Sequence, residues 1–291
     1  MLVHPTASGS TPDESSRTPS RPGSGLAQDW RIVDEGWGRR AVDFATLSEP
    51  GNCREYVAVH QRLGVGEGDR LVDIACGSGL GLELARARGA TCSGIDASGR
   101  LIAIARDRNP VSDIRIGDMF ALPWPDGSFH AATSFRGIWG TTPDALGEIY
   151  RVLRPGGRLG LTVWGHLKAS PGWWALAPFK LASRPKVENQ ASMVSLGRPG
   201  VGEALLVTYG FTEVQRVDIP FVWEFADPAL YARALASTGP AYEATQNVGE
   251  NAFLEAAFVE AEARLRDGLP LRAELASVAY LARKPSAVRG D

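Results

Sequence analysis

Long apolar runs are missing from this chain of 291 residues. The longest uncharged stretch that is also largely apolar, Ala169 to Phe179, falls far short of the ~20 residues that span a bilayer, so no membrane partner is expected. Cysteine is scarce. Cys53, Cys76 and Cys92 make an odd set with neither CxxC nor zinc-like spacing, which argues against a disulfide framework or a cysteine-based metal site, no metal being expected, and fits a reducing cytoplasm. A surplus of either charge is also lacking, since 31 Lys and Arg face 33 Asp and Glu for a net charge of -2. That balance removes the electrostatic drive toward nucleic acid. What the chain does have is 44% hydrophobic and 22% charged residues, enough to bury a sizeable core without outside help.

Organisation along the chain is uneven. In Met1 to Gly25, 16 of 25 residues are Pro, Ser, Thr or Gly, and no basic start precedes an apolar stretch, so residues 1–26 read as a disordered tail rather than a signal peptide. Residues 27–291 read as a single domain. A helix is expected over Asn52 to Leu63, ended by Gly64. From Arg70, short apolar runs alternate with helical ones: strands at Leu71–Ile74, Thr91–Ile95, Ile114–Gly117, Ser128–Phe135 and Arg158–Trp164, with helices between them. This is the pattern of a largely parallel sheet. Two longer alternating runs, Thr212 to Phe225 and Leu271 to Arg283, supply a sixth and a seventh strand. The remaining stretches, about 27–60, 166–200 and 227–267, are longer than ordinary connections and read as cap or lid segments.

In an open α/β sheet, ligands bind beyond the carboxyl ends of the strands. Three acids mark those ends here: Asp73, Asp96 and Asp118. The turn Gly77-Ser-Gly79-Leu-Gly81 lets the backbone approach a ligand closely. It departs from the dinucleotide pattern GxGxxG, because Leu82 stands three residues after Gly79, and Asp73 just before the turn would repel a pyrophosphate. Asp73 suits a cationic ligand, one with an ammonium group and a nearby sulfonium. Asp96 suits a pair of ribose hydroxyls, and Asp118 can accept from an adenine amine with Met119 and Phe120 beside the ring.

Four stretches carry a resemblance: Leu71-Val-Asp-Ile-Ala-Cys-Gly-Ser-Gly79, Gly94-Ile-Asp96, Gly117-Asp-Met-Phe-Ala-Leu-Pro-Trp-Pro-Asp-Gly-Ser-Phe129 and Arg151-Val-Leu-Arg-Pro-Gly-Gly-Arg158. Over residues 70–165 the chain resembles the class I S-adenosylmethionine-dependent methyltransferases, in particular the small-molecule branch with the type 11 methyltransferase domain. The resemblance implies a Rossmann-like α/β fold: a seven-stranded, mostly parallel sheet with helices on both faces, an antiparallel last strand, and a cap over the carboxyl ends. It implies S-adenosyl-L-methionine as cofactor, with Ala75, Gly77 and Gly79 around the methionine part, Asp96 and Ala97 on the ribose side, and Asp118 with Met119 at the adenine. The backbone of Ser134 and Phe135 would receive the amino group. Ala75 stands where the family often has a first glycine. The segment Phe135-Arg-Gly-Ile-Trp-Gly140 lacks the histidine pair of quinone-type relatives, which speaks against a quinone acceptor.

For the acceptor the residues give candidates, not a set. Arg136, just past strand four, can meet a substrate carboxylate or answer a protein acid. Trp139, Trp173 and Trp174 can line an apolar pocket or pack in a core, and Tyr242 can orient a nucleophile or pack on its helix. Methyl transfer from a sulfonium is an in-line displacement that needs alignment more than acid or base, so a catalytic base need not exist; if one does, His166 after strand five is best placed. The expected activity is methylation of a small, mostly apolar molecule at oxygen, before nitrogen or carbon. The alternatives are a protein of this fold that catalyses a cyclisation or rearrangement, and a non-enzymatic cofactor sensor. A monomer or homodimer is expected. The excess of Arg over Lys suggests GC-rich coding and a setting in bacterial secondary metabolism.

Overall fold

The computed structural model describes residues 33–139, 142–182 and 194–286. The tail expected over residues 1–26 lies outside them, as do residues 27–32 and 183–193 of the expected lid stretches. The chain enters through two short helices, α1 (Val33–Gly36) and α2 (Ala41–Asp43), a π-helical turn at Phe44–Ser48 and a 3-10 turn at Glu49–Asn52. Helix α3 (Cys53–Leu63) follows, its Tyr56, Val59 and Leu63 spaced to bury one face, and Gly64 ends it in the left-handed region at φ 65.

The sheet then forms by repeated strand-helix units. Strands β1 (Arg70–Ile74), β2 (Thr91–Asp96), β3 (Asp113–Ile116), β4 (Phe129–Phe135) and β5 (Leu153–Trp164) are linked through helices α4 (Leu80–Arg86), α5 (Gly99–Arg108) and α6 (Ala145–Val152). Ser98 caps α5, its hydroxyl accepting from Leu101 N at 3.2 Å. After helix α7 (Val201–Thr208) come β6 (Thr212–Asp218), β7 (Phe221–Glu224), helices α8 (Pro228–Ala236), α9 (Gly239–Val248) and α10 (Glu250–Arg266), then β8 (Arg272–Leu275) and β9 (Ser277–Arg283). The seven-stranded sheet has the order β3-β2-β1-β4-β5-β9-β6. Strands β1 to β5 pair in parallel, and β9 lies between β5 and β6, antiparallel to both.

Successive side chains of a strand point to opposite faces. Leu71 of β1 and Ala279 and Leu281 of β9 therefore meet Tyr56, Val59, Leu82 and Ile102 from α3, α4 and α5 on one face. Val72 and Ile74, with Val278 and Tyr280, meet Leu146, Ile149 and Leu206 from α6 and α7 on the other. Both faces are covered, which is why the central strands read as nearly unbroken apolar runs.

The two longest expected strands are broken. The run Thr212 to Phe225 divides at Ile219-Pro220, and the run Leu271 to Arg283 divides at Ala276, so that β7 and β8 pair as a separate two-stranded ribbon. Pro220 has no N–H to extend a ladder. Ala276 gives its backbone groups to the segment after β5: its N–H donates to Ser170 Oγ at 2.9 Å and its carbonyl accepts from Gly165 N at 2.9 Å. The ribbon, the 3-10 helix Pro171–Leu181 and helices α8 to α10 close around Phe221, Trp223, Tyr231, Phe253 and Leu271 as a third buried cluster, with Trp164 at the end of β5 packed against it.

Candidate functional site

The carboxyl edge of β1, β2 and β4 is where strain and buried charge concentrate. Between β1 and α4 the chain takes three left-handed residues, Ala75 at φ 58, Gly77 at φ 56 and Gly79 at φ 81. Glycine adopts this region freely, but alanine pays for it, and such strain gathers at ligand sites. The next non-glycine residue with positive φ is Arg136 at φ 59, just past β4. Gly137 packs these two loops together: a Cβ there would stand 2.4 Å from Ala75 Cβ and 2.8 Å from Ser134 Oγ.

Asp96 clasps two loops. Its Oδ2 accepts from Gly77 N at 2.9 Å and its Oδ1 from Ser98 N at 2.8 Å, while its carbonyl accepts from Gly117 N at 3.0 Å. The ends of β2 and β3 and the Gly-rich turn are thereby held as one edge. Burial pushes the Asp96 carboxyl up, against the two backbone donors that favour its charge. Asp73 is also buried, accepts from Thr133 Oγ1 at 2.8 Å, and is pushed up to about 8 by burial, with the charges of Glu49 and Asp96 adding to the rise. Ser134 Oγ is buried and has no hydrogen-bond partner. Ala97 is half-buried beside Asp96. Asp118 is half-buried, its Oδ1 accepting from Phe120 N at 2.9 Å, and Met119 packs against the α6 and α7 side of the sheet. Phe135 lies edge-on to Tyr56 of α3, with ring centroids 4.4 Å apart.

The acceptor candidates fall in different places. Arg136 turns into the protein, pairing with the buried Glu55 carboxylate and Asn52 Oδ1, its guanidinium 4.4 Å from the Trp164 ring and 4.8 Å from that of Phe221. Of its two sequence readings, the answer to a protein acid is the one drawn here. Trp139 donates from Nε1 to Arg136 O at 2.7 Å. Trp174 packs within the insertion between Tyr231 and Arg264, and Trp173 beside it is 36% exposed. Tyr242 donates to Glu35 Oε2 at 3.2 Å, and His166 is exposed on the loop after β5.

One residue at this edge carries no signal in the sequence. Glu49, from the 3-10 turn before α3, sends its carboxylate into the Gly-rich turn, where it accepts from Ser78 Oγ and, at 2.8 Å, from Arg108 Nη1. It adds a second buried acid to the surroundings of Asp73. A buried negative edge of this kind suits a ligand bearing positive charge and hydroxyls, and opposes a pyrophosphate. The residues therefore fit S-adenosylmethionine: an unpartnered Ser134 hydroxyl, two strand-end carboxyls raised by burial, and a turn whose backbone is open to a ligand.

Comparison with known proteins agrees with this geometry. The methyltransferase domain family matches over residues 72–161. The chain is 38% identical over 135 residues to a demethylmenaquinone methyltransferase of Thermus thermophilus, covering 44% of this chain and 53% of that protein. It is 30% identical over 180 residues to the malonyl-acyl-carrier-protein O-methyltransferase of Erwinia pyrifoliae, covering 58% of this chain and 68% of that one. Among solved structures, the 4+2 cyclase SpnF superposes with a TM-score of 0.52 at 24% identity, covering 80% of this chain and 82% of that one, a likeness of fold. The matches span between 46% and 63% of the length of three curated quinone methyltransferases. The chain belongs to the class I S-adenosylmethionine-dependent methyltransferases. Its cofactor is S-adenosylmethionine, and no helix among the described residues is long and apolar enough to cross a membrane.

Proposed function

We propose that this protein methylates a small, largely apolar molecule, at an oxygen atom. The observation that carries the reading is the clasped edge, in which Asp96 ties the strained Gly-rich turn to the loop after β2 beside the buried Asp73. S-adenosylmethionine, when bound, supplies an electrophilic methyl on a sulfonium. The chain's own part is to bind and align. Asp73 and the Ser134 hydroxyl face the cationic amino-acid end, Ala75, Gly77 and Gly79 give the methionine backbone room, Asp96 and Ala97 take the ribose, and Asp118 with Met119 takes the adenine. No general base is assigned, because an acceptor held in line in a dry site needs little beyond orientation. His166 remains the candidate if deprotonation is needed.

An apolar acceptor is supported by the aromatic rings where β5 meets the insertion. Trp164 and Phe221 stand edge to face at 5.2 Å, and the one guanidinium laid on them, that of Arg136, is already neutralised by Glu55. Trp139 is tied to the backbone of Arg136, while Trp173, Trp174 and Tyr242 belong to the segments that would enclose the acceptor. Oxygen is supported by the Erwinia pyrifoliae relative, named an O-methyltransferase. Against a quinone, named for the Thermus thermophilus relative, stands the segment after β4, which lacks a histidine pair.

The test is calorimetric titration of ligand-free protein with S-adenosylmethionine and S-adenosylhomocysteine, repeated for Asp96→Ala, followed by methyl-transfer assays over phenols, alcohols and amines. Micromolar binding that weakens about a hundredfold in Asp96→Ala is expected, since about two charge-assisted hydrogen bonds to ribose would be lost. Correctly folded wild type that binds neither compound would overturn the reading. Tight binding with a product that carries no methyl would replace it with a cyclisation or rearrangement.

A further inference from the structure

Glu49 occupies a position that the methyl-donor chemistry alone does not explain. It belongs to the N-terminal segment, yet its side chain, 1% exposed, ends inside the Gly-rich turn. Oε2 accepts from Ser78 Oγ and from Arg108 Nη1, and Arg108 Nη1 also donates to Ser78 O at 3.1 Å. Oε1 lies 3.3 Å from where a Cβ on Gly77 would stand, and the Phe44 ring lies 3.5 Å from the same point. At Gly77 the space a side chain would need is thus taken by the N-terminal segment.

A second carboxylate of the same segment grips the neighbouring loop. Asp34 of α1 accepts from Ser98 Oγ and from Arg100 Nε at 2.8 Å, where the chain leaves β2 for α5. The two hooks therefore fall on the two loops that Asp96 clasps. Between them the segment leans on the insertion: Trp37 fills the space beside Gly239 of α9, and Arg39 and Arg40 pair with Glu250 of α10. Three residues past Glu49, Asn52 accepts from Arg136. One continuous piece of chain touches the Gly-rich turn, the end of β4 and the insertion.

We propose that Glu49 is a positioning residue of the cofactor site: by holding the Gly-rich turn at Ser78 from the side of the N-terminal segment, it couples closure of that segment to occupation of the methyl-donor site. The proposal rests on reading that turn as the cofactor turn. A ligand that fixes the turn favours the closed segment, and by linkage the closed segment raises the equilibrium affinity for the ligand by the same factor. Releasing the segment would leave a deeply buried carboxylate without Ser78, Arg108 and the Leu80 N–H, which makes partial release costly.

The experiment follows backbone hydrogen exchange over residues 37–52, with and without S-adenosylhomocysteine, in the full chain and in Glu49→Gln and Ser78→Ala, alongside stopped-flow dissociation of the same compound. In wild type the ligand slows exchange of the segment. In both variants the ligand still binds; in Glu49→Gln the slowing disappears and dissociation is about tenfold faster, and in Ser78→Ala, where Arg108 still ties Glu49 to the turn, both effects are smaller but in the same direction. A merely structural role would lower the thermal midpoint and leave the slowing and the dissociation rate intact, and that result overturns the proposal. Ser78→Ala keeps the Glu49–Arg108 ion pair, so it decides the matter if Glu49→Gln fails to fold. Wild type that binds no S-adenosylhomocysteine overturns the cofactor reading itself, and the proposal with it.

Discussion

Acids are handled in opposite ways at the strand edge and in the segments packed over it. Asp34 and Asp43, in the N-terminal segment, face Arg100, Arg40 and Arg233, whose hydrogen bonds and charges outweigh partial burial and hold both carboxyls below the usual range. Asp73 and Asp96, at the ends of β1 and β2, take their hydrogen bonds from a threonine and from backbone amides, and burial pushes both up. The difference separates structural charge from functional charge. Asp34 and Asp43 are satisfied by arginines, whereas Asp73 and Asp96, held on neutral donors, still have affinity for a cation or a hydroxyl that the protein itself does not supply; Glu49, buried against Arg108 and also pushed up, stands between the two groups.

Arg136 offers the largest break in that comparison. Its guanidinium pairs with Glu55, whose side chain is fully buried and whose other oxygen accepts from Thr162 Oγ1 at 3.3 Å. Arg136→Ala leaves that carboxylate unpaired and removes a cation from the faces of Trp164 and Phe221, so a loss of about 3–5 kcal/mol in urea unfolding is expected. Asp73→Asn should behave oppositely. Since the folded protein resists ionising Asp73, the amide is expected to unfold no more easily than wild type at pH 8 and above, in the same assay.

Next in size is His60, on the covering helix α3. Its ring is fully buried, neither nitrogen has a partner, and burial with the nearby charge of Arg88 brings it down to about 4 from 6.5. The folded state binds fewer protons than the unfolded one between those values. Stability from this group is therefore complete above pH 6.5, falls as the pH drops from 6.5 to 4 by on the order of 3 kcal/mol, and levels off below. Over the same range Asp73, raised to about 8, works in the opposite direction, so in His60→Leu the slope of the urea-unfolding midpoint between pH 4 and 6.5 should shift by about one proton toward greater stability at the acid end; an unchanged slope would place the acid sensitivity elsewhere.

Legibility divides along the same line. Asp73, the turn from Ala75 to Gly79, Asp96 and Asp118 stand close together in the chain and at strand ends, so the alternation of strand, turn and helix is enough to align them on one edge. Glu49 is 29 residues from Ser78, and Glu55 is 81 residues from Arg136. Nothing in the stretch Ser48-Glu49-Pro50-Gly51 distinguishes a buried hook from a solvated turn acid. The sequence puts Arg136 just past β4, but the direction of its side chain depends on α3, which only packing brings over it. Reading Thr212 to Phe225 as one strand passes over Pro220, whose missing ladder donor is a signal of the break; the break at Ala276 has no such signal, because its amide is diverted to Ser170, 106 residues earlier.

The smallest effect is also the most direct reading of the uncompensated edge. With its carboxyl at about 8, Asp73 is mostly protonated in the ligand-free protein at pH 7. Under the proposed assignment, the ammonium of S-adenosylmethionine comes to rest opposite it, favours the ionised form and expels the proton. Binding at pH 7 should release close to one proton, and apparent affinity should climb as the pH rises toward 8 and level off above it, because there the proton is already gone. Calorimetric titration in phosphate and in Tris, whose ionisation enthalpies differ, reads the released proton as a difference in apparent heat. Asp73→Asn should give equal heats in the two buffers and a flat affinity profile. Equal heats in wild type would mean that Asp73 keeps its proton when the cofactor binds, and the cationic group would then have to be answered by Glu49 or by backbone carbonyls instead.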